Sequence, residues 1–161
     1  MHKEEAFTGI IKQNEGLIYK ITRIYAHTET DQKDLYQEIV YQLWKSFEKF
    51  RGDAKVSTWM YRIALNTALF YSKQEKKRGY GVSLDGIILK EEHYDPVIEE
   101  RLQLIYQHIR KLSDLDKGIM LLFLEGKKYE EISEIVGITT SNVGTRMSRI
   151  KEKLKSQINN K

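Results

Sequence analysis

The sequence predicts an all-α protein, made of two helical domains that a flexible linker joins, with a helix-turn-helix in the C-terminal domain. Apolar residues recur at helical spacing through most of the 161 residues, and no strand-like alternation persists. The one proline, Pro96, leaves room for long helices almost everywhere else. Residues 79–96 show no sustained period, which makes 1–78 the first domain, 79–96 the linker and 97–161 the second domain.

The first domain contains three helical stretches that turn signals separate. In chain order they are 6–26 with a break near 14–16, then 32–50, then about 57–77. We expect Asp31 to start the second helix and the Gly-Asp loop at 51–56 to follow it. Ser57 or Thr58 then caps the third helix, because a hydroxyl oxygen accepts a hydrogen bond from a free backbone N–H there.

The second domain is predicted to be helical throughout. Its elements are helices at 97–112 and 114–125 and a helix-turn-helix at 129–154. In that motif Gly137 ends the first short helix, since glycine accepts the left-handed backbone required there, and Thr139 or Thr140 caps the next helix. The inner face is predicted to consist of Ile132, Ile135, Val136, Ile138, Val143, Met147 and Ile150. Such a motif places its second helix in the DNA major groove. An ordinary helical hairpin is the alternative.

Charge is concentrated in two basic segments that an acidic one separates. Residues 45–78 hold nine basic against three acidic side chains, residues 140–161 six against one, and residues 79–103 two against six, while the whole chain is +4. The two basic segments suggest two surfaces that face nucleic acid, although a charge run is also typical of a solvated helix face.

Composition argues against several other classes of protein. The chain has no cysteine, which excludes disulfide scaffolds, thiolate zinc sites and cysteine nucleophiles. The histidines are scattered without metal-ligand spacing, and there is no glycine-rich phosphate loop. No apolar run approaches the roughly 18 residues that span a membrane, and the N-terminal residues lack a signal-peptide pattern. We expect a cytoplasmic protein that has no cofactor, no metal and no small-molecule substrate, and that is not an enzyme.

Short motifs in both domains, taken in order, narrow the choice of family. Those in the first domain are Asp34–Glu38 (DLYQE), Leu43-Trp44, Phe50–Gly52 (FRG) and Ser57–Asn66 (STWMYRIALN). Those in the second are Leu112-Ser113, Leu124–Gly126 (LEG), Tyr129–Ile132 (YEEI) and Gly137-Ile138. Together they resemble bacterial RNA polymerase sigma factors of the extracytoplasmic-function (ECF) type, over residues 5–157.

This resemblance implies a protein that binds core RNA polymerase, directs it to specific promoters and promotes DNA opening. It also implies an anti-sigma factor as a further partner. The alternative is a stand-alone helix-turn-helix regulator that binds duplex DNA as a dimer, which requires a palindromic site and an apolar dimer face. An enzyme with an appended DNA-binding domain is disfavoured by the lack of a catalytic constellation.

One polar side of the predicted helix 32–50 is formed by residues at spacings of three and four, which align on a helix. They are Asp34, Gln37, Glu38 and Tyr41. The resemblance implies that this side docks on a helical coiled coil of core RNA polymerase, where acidic and amide groups meet a basic partner. A solvated face over a buried one fits the pattern equally well.

The resemblance further implies that the region from Phe50 to Asn66 captures a base flipped out of the downstream, minus-ten promoter element. Unstacking that base is costly, so a pocket must offset it by stacking and hydrogen bonding. Phe50 offers a ring and Asn66 an amide, although Phe50 fits the core as well, and we expect Trp59 in the core. The predicted downstream DNA-binding residues are Phe50, Arg51, Gly52, Asp53, Ser57, Arg62, Asn66, Lys73, Lys77 and Arg78.

The second helix of the helix-turn-helix is predicted to read the upstream, minus-thirty-five element. Its predicted contact residues are Thr139, Thr140, Ser141, Asn142, Thr145, Arg146, Ser148 and Arg149. Asn142 suits an adenine and Arg149 a guanine or a phosphate, whereas Arg146 binds phosphate or pairs with a neighbouring helix. The family often has lysine or arginine where Gly144 stands, and usually proline where Ser113 stands. We expect Gly144 to remove a DNA contact and to alter the target sequence.

Overall fold

The computed structural model describes residues 2–50, 52, 55–77 and 96–159, and every regular element within them is an α-helix. The helices are α1 (His2–Gln13), α2 (Glu15–Tyr25), α3 (Glu29–Phe47), α4 (Val56–Lys77), α5 (Pro96–Arg110), α6 (Asp114–Leu124), α7 (Tyr129–Val136) and α8 (Thr140–Asn159). The chain forms two compact units, residues 1–83 and 84–161, which we call the first and second units. The predicted all-α fold class is confirmed. The predicted linker lies outside the described residues, apart from Pro96, which begins α5.

Polar side chains bond to backbone groups at two helix boundaries of the first unit. Asn14 divides α1 from α2, as predicted, and its side-chain amide donates to the carbonyl of Ile10 at 2.8 Å. Thr28 is the N-cap of α3, since its hydroxyl oxygen accepts from the N–H of Asp31 at 2.9 Å. The helix therefore begins at Glu29, and the prediction that Asp31 starts it is wrong by two residues.

The start of α4 also differs from the prediction. The helix begins at Val56, and the N–H of Trp59 donates to the carbonyl of Lys55 at 3.0 Å. Ser57 and Thr58 therefore lie inside the first turn, and the prediction that one of them is the N-cap is wrong. Thr58 is buried, so its position at this end of the helix serves packing.

The core of the first unit lies between α2, α3 and α4, and α1 packs against α2 and α3. Its fully buried aliphatic side chains are Ile18, Ile21, Ile24, Leu35, Ile39, Leu43, Met60, Ala64 and Ala68. Burial of a large aliphatic side chain stabilises a fold by about 1.5–3 kcal/mol. Because α3 and α4 each direct one side into this core, their opposite sides face outward.

In the second unit, α6, α7 and α8 pack on one another, and α5 packs on α6 and α8. Gly137 has φ of 79°, the left-handed conformation that the sequence predicted for the end of α7. Of the two predicted caps, Thr139 is the one used, since its hydroxyl accepts from the N–H of Asn142 at 3.0 Å. The hydroxyl of Ser133 donates to the carbonyl of Ile138 and closes the same turn.

The inner face of the helix-turn-helix agrees with the predicted pattern. Buried members are Ile132, Ile135, Val143, Met147 and Ile150, and the two at the turn, Val136 and Ile138, are partly buried. Among the described residues, no helix combines the length and the apolar character needed to cross a membrane.

Candidate nucleic-acid interfaces

The outward side of α4 carries the predicted downstream contacts in one line. Arg62, Asn66, Lys73 and Lys77 are all exposed, and their spacings of four, seven and four residues keep them on one side of the helix. Phe70 lies between Asn66 and Lys73 in the sequence of α4, one turn after Asn66, and its side chain is 65% exposed. Phe70 is not among the contacts predicted from the sequence. Its position could have indicated it, because this aromatic residue lies four residues after Asn66 and three before Lys73.

The loop before α4 presents a second aromatic ring. Phe50 stacks on Trp59 with ring centroids 4.8 Å apart and planes inclined by 30°, and both side chains remain partly exposed. Phe50 therefore has a structural contact on one side, while part of its ring faces solvent, and its capture of a base stays a prediction. Gly52 is exposed with φ of 79°, which favours glycine. Three predicted contacts, Arg51, Asp53 and Arg78, lie outside the described residues.

The ring platform and the Asn66 amide are separated along α4. Trp59, which supports Phe50, precedes Asn66 by seven residues, which is two turns or about 10 Å of helix on one side. Ser57 is partly buried in the first turn of α4. The arrangement places an aromatic surface near the start of α4 and a hydrogen-bonding amide two turns further along the helix.

The outward side of α3 is the predicted polymerase face. Asp34, Gln37 and Glu38 are exposed, and Tyr41 is 53% exposed. The ammonium of Lys45 lies 5.4 Å from the Tyr41 ring, a cation–π distance. This polar side is opposite the buried aliphatic positions of the same helix, so it is available to a partner.

A groove of about 530 Å³ between α3 and α4 brings two predicted sites together. Asp34 and Glu38 line it from α3, and Asn66 and Phe70 line it from α4. Tyr71 also lines the groove. Burial raises the pKa of its hydroxyl, and nearby carboxylates raise it further. In the part of the chain that the structure describes, no cluster of acidic or histidine side chains is arranged to hold a metal ion.

The outward side of α8 and its cap carry the predicted upstream contacts. The exposed members are Thr139, Thr140, Ser141, Asn142, Thr145, Ser148 and Arg149. Two of these hydroxyls also serve the helix itself, because Thr139 is the N-cap and Thr145 donates to the carbonyl of Ser141 at 3.1 Å. The amide of Asn142 and the guanidinium of Arg149 are the groups in this set with two or more donors for base edges or phosphates.

Arg146 pairs with a neighbouring helix, which was one of its two predicted roles. Its Nη1 donates to Oδ1 of Asp116 in α6 at 2.9 Å, and the pair is partly buried. Asp116 lies in the first turn of α6. Its backbone N–H donates to the hydroxyl oxygen of Ser113, the N-cap of that helix, at 3.3 Å. The serine that replaces the family's usual proline thus has a structural role, and Arg146 fixes α8 on α6.

Gly144 lies on the side of α8 that faces α7. A methyl group at this position would be 3.8 Å from Cε2 of Tyr129, an ordinary van der Waals distance. A longer side chain here would start against the Tyr129 ring. The effect of Gly144 on the target DNA sequence stays a prediction.

Comparison with known proteins matches both units to one family. The sigma-70 region 2 model matches residues 10–78, and the sigma-70 region 4 model matches residues 102–154. The ECF RNA polymerase sigma-E factor of Escherichia coli K12 is 30% identical, over 96% of this chain and 87% of that protein. The sigma-E factor of Haemophilus influenzae is 28% identical, over 96% and 88%.

Two solved structures share the fold. CnrH in complex with the cytosolic domain of CnrY has a TM-score of 0.71 at 17% identity and covers 97% of this chain and 89% of that one. The sigma factor RpoE in complex with the anti-sigma factor NepR from Bartonella quintana has a TM-score of 0.76 at 18% identity and covers 97% and 98%.

The helix-turn-helix of the second unit and the exposed basic side of α4 in the first are typical of a DNA-binding protein. The chain belongs to the ECF family of RNA polymerase sigma factors. As a sigma factor it binds core RNA polymerase and directs it to promoters. The predicted function is confirmed, and the alternative of a stand-alone dimeric regulator is set aside.

Proposed function

We propose that this sigma factor works through three surfaces: the outward side of α3 binds core RNA polymerase, Phe50 and α4 capture the unpaired minus-ten element, and α8 reads the minus-thirty-five duplex. This assigns the first two roles to residues 1–78 and the third to residues 97–161. One observation supports the division. In each of α3, α4 and α8 the assigned side chains face outward while the opposite side is buried in a core.

Opening of the downstream element is proposed to depend on a stacking platform and an amide. A flipped base stacks on the partly exposed ring of Phe50, a contact of about 1–3 kcal/mol. The Asn66 amide, with both donors and an acceptor, then tests the hydrogen-bonding edge of that base. Lys73 and Lys77, exposed further along α4, neutralise phosphates of the same strand. Stacking and hydrogen bonding together offset the cost of unstacking.

The first turns of α8 are proposed to recognise the bases of the upstream element. The N-terminal residues of a recognition helix meet base edges in the major groove. Asn142 is exposed there, and Arg149 follows two turns later on the same side. A bidentate contact from either side chain discriminates against a wrong base pair by about 1–3 kcal/mol. Arg146, held by Asp116, supports the helix.

Binding of core polymerase is proposed to centre on Asp34, Glu38 and Tyr41. The two carboxylates suit a basic helical partner and give register and association rate. Tyr41, half exposed, supplies an aromatic contact of the kind that concentrates binding energy at interfaces. Because Asp34 and Glu38 also line the groove that holds Asn66, polymerase bound at α3 would lie close to the opened strand.

The remaining roles are proposed from family membership. An anti-sigma factor is a partner, as in the similar solved structure that contains NepR. The protein acts in the cytoplasm, where RNA polymerase transcribes DNA. It acts by binding alone, without chemistry of its own, and the described residues offer hydrogen-bonding, stacking and charged groups that suit this role.

A matched pair of amide variants tests the division between the units. Asn66→Ala should reduce promoter opening by polymerase holoenzyme, measured by 2-aminopurine fluorescence in the minus-ten element, and leave binding to the upstream duplex unchanged. Asn142→Ala should weaken upstream binding and leave opening of a preassembled complex on a strong upstream element nearly unchanged. Equal losses in both assays for Asn66→Ala would refute the pocket. Failure of the wild-type chain to bind core polymerase would refute the whole proposal.

A further inference from the structure

A continuous series of aromatic rings runs from α1 to the loop before α4. The ring centroids of Phe7 and Trp44 are 5.1 Å apart, and those of Phe7 and Phe47 are 5.4 Å apart. Phe47 then meets Trp59 at 6.2 Å, and Trp59 meets Phe50 at 4.8 Å. The series therefore joins the N-terminal helix, the end of α3 and the first turn of α4.

The end of the series that lies farther from Phe50 is firmly held. Phe7 is 7% exposed, which makes it part of the core. Lys3 makes an ion pair with Glu48 and also lies 4.6 Å from the centroid of the Trp44 ring. The hydrogen bond from Lys3 and the charge of its ammonium hold the pKa of the Glu48 carboxyl below its ordinary value.

The other end holds the residue assigned to base capture. Phe50 lies three residues after the end of α3, and its N–H donates to the carbonyl of Phe47 at 3.1 Å. The Phe50 and Trp59 planes are inclined by 30°, the smallest angle in the series, whereas the other ring pairs are inclined by 48° to 67°. Trp59 therefore covers one face of the Phe50 ring, and the ring remains partly exposed.

We propose that Trp59 is a positioning residue for promoter opening: it holds the Phe50 ring so that one unpaired base stacks on the outward face of that ring. The inference rests on the proposed role of Phe50 in capturing the base. Trp59 acts through Phe50 and does not touch the DNA. A ring whose inner face is fixed loses less freedom when a base binds, so the base is captured more tightly.

Substitutions of Trp59 in the full chain, assayed with core polymerase, test this inference. Trp59→Leu removes the stacked pair, which should lower the equilibrium constant for opening by about 2- to 12-fold, the range that aromatic pairs contribute. Trp59→Phe keeps a ring and should recover most of the loss. Opening is measured by 2-aminopurine at the captured base, with core binding and the thermal midpoint recorded for each variant. Should Trp59→Leu fail to fold, Trp59→Met replaces it, since methionine fills irregular gaps.

Phe7→Leu is the matched control, because Phe7 belongs to the same series but does not contact Phe50. At equal folded fraction it should open the promoter as the wild type does. In a double variant, Trp59→Leu should cause no further loss of opening once Phe50→Ala is present, because Trp59 acts only through the Phe50 ring. Additive losses, or losses in Trp59→Leu and Phe7→Leu that match, would overturn the inference.

The same set separates this inference from the proposed function. If Phe50→Ala leaves opening unchanged, the proposed base-capture site itself fails. If Phe50→Ala impairs opening while Trp59→Leu at equal folded fraction does not, the site stands and the positioning role of Trp59 is wrong.

Discussion

Two glycines of the helix-turn-helix should respond in opposite directions to the same substitution. Gly144 lies inside α8 with no positive φ, and an added methyl would contact the Tyr129 ring at 3.8 Å. Alanine is favoured over glycine within a helix by roughly 0.5–1 kcal/mol. The partly buried methyl adds a few tenths of a kcal/mol at most, because a fully buried one contributes about 0.8 kcal/mol. Gly144→Ala should therefore stabilise the second unit by about 1 kcal/mol.

Gly137→Ala is the matched control, seven residues earlier in the same motif. Its φ of 79° strains an L side chain by about 1–2 kcal/mol. Nothing lies within 4 Å of the added methyl, so neither a clash nor a new contact alters that figure. We expect Gly137→Ala to destabilise the second unit by about 1–2 kcal/mol.

Calorimetry of the full chain measures both effects. A change of 1 kcal/mol shifts the midpoint of a domain of this size by about 4–8 °C, upward for Gly144→Ala and downward for Gly137→Ala. Hydrogen exchange at the amides of α8 assigns the transition to the second unit. A lower midpoint for Gly144→Ala would show that the glycine is required by the packing of α8 on α7, and would refute the reasoning.

Five further substitutions, in four experiments, have defined outcomes. Ser113→Ala removes the N-cap of α6 and should lower the free energy of unfolding by about 1 kcal/mol, measured by denaturant titration, and no change would contradict the cap. Asp116→Ala and Arg146→Ala should be non-additive by about 0.5–1 kcal/mol in a double-mutant cycle, because the pair is partly exposed, and additivity would contradict the pairing. Arg149→Ala should reduce the slope of log affinity against log salt for upstream DNA by about 1, and an unchanged slope would exclude a phosphate contact. Phe70→Ala should alter stability by less than about 0.5 kcal/mol, since the ring is 65% exposed. The same variant should reduce promoter-specific transcription, and unchanged transcription would remove Phe70 from the candidate site.

Periodicity predicted the helices well because each helix directs one side into a core. It could not tell which of two adjacent apolar residues faces inward. Leu69 and Phe70 are adjacent apolar residues of α4, and their residue type alone does not show which of the two faces inward. In the structure Leu69 is partly buried and Phe70 is exposed. One residue corresponds to about 100° of rotation around a helix, so the outward position of Phe70 depends on how α4 is seated against α3.

Charge was a poor guide where a long side chain has an apolar stem. Arg23 is 2% exposed within α2, and its guanidinium carbon lies 5.7 Å from the Tyr19 ring. A pattern based on polarity places arginine at the surface, whereas its methylene groups also pack well against apolar neighbours. The pairing of Arg146 with Asp116 was likewise open, because it joins residues 30 positions apart and only the fold brings them together.

The recognition helix divides its charge between structure and DNA. Residues 140–149 are all described, and among them Arg146 is held by Asp116, while Arg149 is the cation that faces outward. The other exposed groups there are neutral hydroxyls and an amide, which discriminate between bases but release few counterions. The other basic side chains of residues 140–161 follow Arg149, and residues 45–78 form the second basic segment, with nine basic against three acidic side chains. Residues 140–149 should therefore supply selectivity more than affinity, so that specific binding requires polymerase to hold both units on one promoter.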